Sequence, residues 1–492
     1  MNNKPNIVYF VADQMRNDAL HHMGCKASIT PNLDALLEEG VSFKNAYCQN
    51  PVCVPSRCSF LTGLYPHTTG HRTMHYLQDP DEPNFLRTMK NNGYEVIWVG
   101  RNDIIPSDCG KSDYCDVYFD GRVYENRVEY IDQDGLSYHV DKEAVDTSVP
   151  GYYSQHIGII TEEQAHTGGH MMNDWIAVES ALKYLQERDD PRPFFLYITI
   201  SYPHPPYACE DPWYSSIDRS LVTKPRPSAM TLPGKPSMVK EIARKQNLSD
   251  WGKDNFIEMR ATYLAMVSRF DYQYGMLRDK LIELNYYDNT SIFVFSDHGD
   301  YTGDYDISEK VQNCFEDPIA NVPLLVKPAN QFACEPRISN ALVELVDLTQ
   351  TVCDMTGIQT EYIQFGKSLL DTLAGNEFHK EAVFCEGGRI HGETWAMESG
   401  HGPESTYWPR LDTQSSEGPE HTKATMIRMK NLKYVKRLYE QDELYDLDND
   451  PQELNNIIED PGYYNEVIKM KDLMLTFYQA TGDIVPNRRD KR

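Results

Sequence analysis

Asn50-Pro51-Val52-Cys53-Val54-Pro55-Ser56-Arg57-Cys58-Ser59-Phe60-Leu61-Thr62-Gly63 is the stretch on which the reading of this chain turns. Pro55 fits a first helical turn, where its missing N–H costs little. Ser56 to Thr62 can continue the helix, with Gly63 near its end. Cys53 then lies at the positive end of that helix, where free backbone N–H groups favour an anion. Arg57, one turn in, can hold a strand-to-helix bend or neutralise an oxyanion. Taken alone, the segment suits a buried structural cysteine equally well.

Outward from this helix, strand and helix patterns alternate, which argues an α/β fold. Residues 7–11, 95–99, 194–201, 291–295 and 323–326 read as strands. Residues 32–39, 85–91, 174–188, 260–284 and 342–356 read as helices. Three segments break the pattern: 106–170, rich in Asp and Tyr; 215–250, a surface excursion with several Pro and basic residues; and 398–421, a long loop. The expected organisation is a catalytic domain over 1–375, with inserts at about 106–170 and 215–250, and a smaller α+β subdomain over 376–492 that contributes to the substrate pocket.

The chain has 492 residues, 40% of them hydrophobic, which is ample for a large core. Its 74 acidic against 47 basic residues give a net charge of −27. That surface disfavours nucleic acid and anionic membranes as partners. The N-terminus leads directly into a short apolar run ending at Asp13, which reads as a strand rather than a secretory signal. No stretch is long and apolar enough to span a bilayer. The eleven cysteines are scattered, so reduced thiols and a cytoplasmic location are expected.

Asp13 and Gln14 follow the first strand, and Asp297 and His298 follow another. Ligands of open α/β sheets collect at the carboxyl ends of strands. Together the two pairs offer carboxylate, amide and imidazole ligands to a divalent ion. A single Asp after a strand is more often a turn residue, but two such pairs beside Cys53 are harder to explain that way.

Several motifs carry a family resemblance. Cys53 with Pro55 two on, Arg57 four on and Leu61-Thr62-Gly63 beyond resembles the maturation signature of the sulfatases. Asp297-His298-Gly299-Asp300-Tyr301-Thr302-Gly303-Asp304, with Lys310 further on, resembles their second signature. Pro203-His204-Pro205-Pro206 resembles the segment that supplies a leaving-group histidine. Met266 to Asp271 and the helix that follows resemble the long helix before the metal strand. Glu443-Leu444-Tyr445-Asp446-Leu447, with Asp450-Pro451 and Glu453, resembles the C-terminal signature. In family order from about residue 5 to 458, the chain is similar to the sulfatase branch of the alkaline phosphatase superfamily.

The resemblance implies a mixed, mostly parallel sheet flanked by helices. It implies that Cys53 is oxidised to formylglycine by a maturase. It also implies that Asp13, Gln14, Asp297, His298 and the modified Cys53 bind a metal. Calcium suits a mainly oxygen shell, with manganese or magnesium as alternatives given the His ligand. Arg57 and Lys310 would neutralise the sulfate, and His204 would protonate the departing alcohol or be its nearest donor. The substrate expected is a small sulfated molecule, a carbohydrate such as a glycosaminoglycan-derived sugar.

Arg101, His75, Asp103, Arg389 and His391 are the expected substrate contacts, with His71, Arg72, Glu386 and Trp395 nearby in the sequence. Three departures stand out. Gln14 replaces a second Asp, and Asp297-His298 with Gln14 and Arg16 looks more like the branch that includes phosphonate monoester hydrolases. Gly100-Arg101-Asn102-Asp103 stands where many members have Gly-Lys-Trp-His, so the elimination base is open between His75 and Asp103. Asn321 stands where an Arg often precedes Val-Pro. The alternatives are a broad arylsulfatase, a phosphonate monoester hydrolase or phosphodiesterase, and a metal-stabilised binding protein that is never matured.

Overall fold

Asn6-Ile7-Val8-Tyr9-Phe10-Val11-Ala12-Asp13 is almost continuously apolar and is buried throughout. A strand with no polar alternation must be covered on both faces, and this one lies inside a sheet with helices on either side. The computed structural model describes residues 4–119, 124–125, 127–128, 151–166, 174–398 and 400–485. The expected 106–170 insert therefore lies partly outside the described residues.

In chain order the main elements begin with strand β1 (Asn6–Asp13), helix α1 (Pro31–Leu36), β2 (Val41–Tyr47) and α2 (Cys53–Phe60). Then come α3 (Phe85–Asn91), β3 (Glu95–Gly100), β4 (Val117–Phe119), α4 (Asp174–Glu187) and β5 (Phe194–Pro203). Helices α5 (Ser237–Gln246) and α6 (Lys253–Glu283) precede β6 (Thr290–Ser296), β7 (Leu324–Lys327) and β8 (Arg337–Glu344). The chain continues with α7 (Asp347–Thr356), β9 (Ala382–Gly387), α8 (Trp408–Ser415), β10 (Ala424–Met429), β11 (Leu432–Arg437), β12 (Glu443–Asp446) and α9 (Tyr464–Thr481).

Eight strands form the main sheet in the order β8-β2-β7-β6-β1-β5-β3-β4. Its pairings are parallel except where β7 runs against β6 and β2. Strands β9 to β12 form a separate four-stranded antiparallel sheet. The mixed, mostly parallel sheet and the later antiparallel one match the expected fold class. Alternation along β1 divides the core: Ile7, Tyr9 and Val11 face one apolar cluster, and Val8, Phe10 and Ala12 face the other. The first cluster also takes Val383, Cys385 and Met426, so the two sheets share apolar contacts.

Three sequence expectations need correction. Residues 342–356 are not one helix: Leu342 and Val343 pair with Asn45 and Ala46 of β2 before α7 begins. A short apolar run does not by itself distinguish strand from helix, and pairing decided it. Residues 215–250 are not a surface excursion throughout, because α5 buries Met238, Val239 and Ile242 against Tyr301, Tyr305 and Ile307. Residues 398–421 are not one long loop, because they contain α8.

Candidate active site

The carboxyl ends of β1 and β6 and the start of α2 meet at one place. Between Ala12 and Asp13 the register of β1 on β5 slips, and Asp13 falls opposite Pro203, next to His204. Gln14 then turns with a left-handed φ of 71°. Gly100, ending β3 at φ 90°, admits Arg101 to the same edge; a Cβ there would lie 2.1 Å from Thr199 O. Cys53 opens α2, and Ser56 ties that first turn down by donating to Asp297 O at 2.5 Å.

Four buried side chains converge there. Ligand atoms of Asp13, Cys53, Asp297 and His298 all lie within 4.8 Å of one another. Cys53 Sγ is 3.1 Å from His298 Nε2 and 3.4 Å from Asp13 Oδ1. His298 Nδ1 faces Gly299 O at 2.9 Å. A carbonyl only accepts, so Nδ1 carries the proton and the Nε2 lone pair faces the cluster, the form a metal requires. Two carboxylates, a neutral imidazole and the Cys53 position make a donor set that fits a divalent cation. Burial opposes ionisation of Asp13, but the groups around it, His204, Arg57, Arg101 and Lys310, hold its carboxyl well below the usual range. Burial, with Asp13 beside it, pushes the Cys53 thiol well up.

Arg57 is completely buried. Its Nε donates to Asp297 Oδ2 at 2.9 Å and its Nη2 to Asp13 Oδ2 at 3.0 Å. The guanidinium holds the two ligand carboxylates. Lys310 sits opposite, where Nζ donates to Gln14 Oε1 and to His204 Nε2, each at 2.8 Å. His204 Nδ1 hydrogen-bonds Pro205 O, so its Nε2 is the acceptor. Burial and the neighbouring Lys310 push the His204 pKa well down. The resting proton of this pair therefore sits on Lys310.

Gln14 is oriented from both ends. Its Nε2 donates to Asp300 Oδ2 at 2.5 Å, and Asp300 also accepts from Tyr207 Oη at 2.9 Å. The Gln14 oxygen keeps a lone pair beyond the one that meets Lys310. Arg101, whose side chain is about a quarter exposed, pairs with Asp13 at 3.1 Å and with Asp103 at 2.8 Å. Asp103 is thus at the site but ion-paired.

The other expected contacts are not joined to this cluster. His75 is exposed, with its backbone N–H on Thr73 Oγ1. Arg389 is completely buried and donates to the carbonyls of Gln414 and Ser416 and to Glu417. It clasps the segment that ends helix α8, which corrects its assignment as a substrate contact. His391 is exposed and packs on Tyr439 with ring centroids 3.7 Å apart. Glu386 accepts from His67 and Tyr478, His71 pairs with Glu82, and Arg72 pairs with Glu393. Trp395 is 80% exposed.

The sequence reading missed Tyr407, Arg410, Glu309 and Glu398. Glu309 lies 3.2 Å from Lys310 Nζ and 3.7 Å from Arg410, which in turn pairs with Glu398 at 3.0 Å. Tyr407 is an electrostatic neighbour of Glu309, Lys310 and Arg101. The available signal was Pro409, which fits the first turn of a helix and is disfavoured further in.

A family model described as Sulfatase matches residues 5–358. An arylsulfatase of Clostridium perfringens is 25% identical, with 96% of this chain and 94% of that protein covered. The solved phosphonate monoester hydrolase of Agrobacterium radiobacter superimposes with a TM-score of 0.74 at 21% identity, covering 97% of this chain and 96% of that one. A structure solved in complex with its substrate D-glucosamine-2-N,6-O-disulfate superimposes at 0.73 and 18% identity, covering 99% of this chain and all of that one.

Proposed function

The chain belongs to the sulfatase family and is a sulfuric ester hydrolase, and we propose that it works through a formylglycine made from Cys53, beside a divalent cation, on a sulfated carbohydrate. The observation that carries this reading is Cys53 at the helix start, within ligand distance of Asp13, Asp297 and His298. A thiol with its pKa pushed well up is a poor nucleophile at neutral pH, which supports Cys53 as a precursor. The aldehyde hydrate would supply a hydroxyl nucleophile and, by re-forming the carbonyl, a way to release sulfate that an ordinary thiol or hydroxyl lacks. A cation held by Asp13, Gln14, Asp297 and His298 would supply Lewis acidity and lower the pKa of an oxygen nucleophile; calcium is the first choice for these ligands.

The remaining roles fall to this chain's own groups. Arg57 keeps Asp13 and Asp297 ionised and aligned. Lys310 places a positive charge where negative charge develops, usually the largest catalytic contribution. Its proton would be the one offered to a departing oxygen, and His204 Nε2 fixes the ammonium's direction. Arg101, the more open cation, offers a sulfate contact. The carbohydrate class is supported by the fold shared with the protein solved with a disulfated glucosamine.

Peptide mass spectrometry over residues 43–72 after co-expression with a maturase tests the first part; an unmodified thiol in active enzyme refutes formylglycine. Turnover of defined sulfated mono- and disaccharides tests the second. A phosphonate monoester or phosphodiester activity is the second reading, favoured by Gln14 together with the Asp297-His298 pair and by the likeness to the phosphonate hydrolase. Equal or better turnover of phosphodiesters would establish it over the sulfate reading.

A further inference from the structure

A cavity of about 510 Å³ opens between the main sheet and the antiparallel sheet, and none of its lining residues belongs to the Cys53 cluster. Its size suits a small organic ligand. Two sequence features that the reaction does not use meet in it: Asn321, and the C-terminal Leu-Tyr-Asp-Leu motif, through Leu447, Asp448 and Pro451. Asn321 is set by its neighbours: its Oδ1 accepts from Asn17 at 3.1 Å and its Nδ2 donates to Lys44 O at 3.1 Å.

The charges divide into engaged and free. Arg428 pairs with Asp317, and Arg226 pairs with Asp304 and Glu453. Lys44 from β2 and Lys430 from the turn between β10 and β11 are exposed. Among the described residues, neither ammonium has an ion-pair or hydrogen-bond partner. Two free cations at one cavity run against a net charge of −27 and attract an anion. The lining also carries the side-chain amide of Asn340 and the exposed carboxylate of Asp448. A carboxylate repels a simple inorganic anion but accepts from hydroxyl groups. Leu342 and Leu447 add apolar surface.

We propose that this cavity is a second, non-catalytic site for a sulfated saccharide unit. Lys44 and Lys430 would meet the sulfate, and Asn340 and Asp448 the hydroxyls. The proposal rests on the carbohydrate class of the functional reading but not on the chemistry at Cys53.

Hydrogen–deuterium exchange on the full chain, with sulfated lactose, lactose and inorganic sulfate at equal concentrations, reads the site locally. Sulfated lactose is expected to slow exchange across 428–431 and 446–451 by roughly threefold or more, with little effect from the other two probes. The K44A/K430A double variant is expected to lose that protection while hydrolysing nitrophenyl sulfate normally, and K44Q/K430Q to do the same with less change in side-chain bulk. The proposal is overturned if wild type shows no protection or if both double variants keep it. Equal protection by lactose or by inorganic sulfate overturns the assigned ligand class. Failure of sulfated sugars as substrates, with protection intact, would refute only the catalytic reading.

Discussion

Arg57 shows how far residue identity and residue role can diverge. The residue stands where the motif places it, and its guanidinium meets two carboxylates that the motif does not name. Removing one partner from a buried ion pair typically costs about 3–5 kcal/mol, so Arg57→Ala should lose stability of that order in urea unfolding and also bind divalent metal more weakly in equilibrium dialysis. Arg57→Lys should recover only part of both, because an ammonium cannot bridge Asp13 and Asp297 as a planar guanidinium does. Lys310→Ala should lower kcat by about 10²–10³-fold, the usual loss for a group that stabilises developing charge, with circular dichroism unchanged. An activity equal to wild type would remove Lys310 from the reaction. Arg57 was legible because it lies one turn into the helix that Cys53 opens, and Lys310 because it follows the Asp297 motif in the sequence. The partners of Arg57 were not, because they are 44 and 240 residues away.

At the scale of elements, the parallel strands were easily read and the C-terminal segments were not. Strands β1, β5 and β6 are buried runs bounded by turns, so composition alone identifies them. Helix α8 was hidden in a Gly-, Pro- and Ser-rich stretch, although it carries Arg410 to Glu309 and Glu398. Tyr407 at its start should affect substrate affinity: Tyr407→Ala is expected to raise KM more than it lowers kcat, measured on one sulfated sugar. Arg389 gives the opposite case. It clasps the end of α8 through Gln414 O and Ser416 O, so Arg389→Met should lower the melting temperature and leave KM unchanged. A raised KM at unchanged melting temperature would restore it as a substrate contact.

Across the whole molecule, buried ion networks join distant parts of the chain. Asp347 at the start of α7 is buried, which would raise its pKa, but Lys380 and His379 pull it below the usual carboxylate range. A carboxyl depressed in the folded state contributes stability above its unfolded pKa and loses it as pH falls through the folded value. The contribution should therefore be present above about pH 4 and be lost progressively as pH falls below it. Asp347→Asn should flatten that part of the pH–stability curve in urea titrations, and an unchanged slope would show the pair to be inert. The sequence by itself determined the α/β class, the strand ends and the residues that could hold a metal, because burial patterns and helix-start chemistry are local. Tertiary structure alone decided that Arg57 serves the carboxylates, that Lys310 holds the proton of the His204 pair, and that Arg389 is a clasp. Each of those roles depends on which charge a long side chain meets, and that is set by folding together segments far apart in the chain.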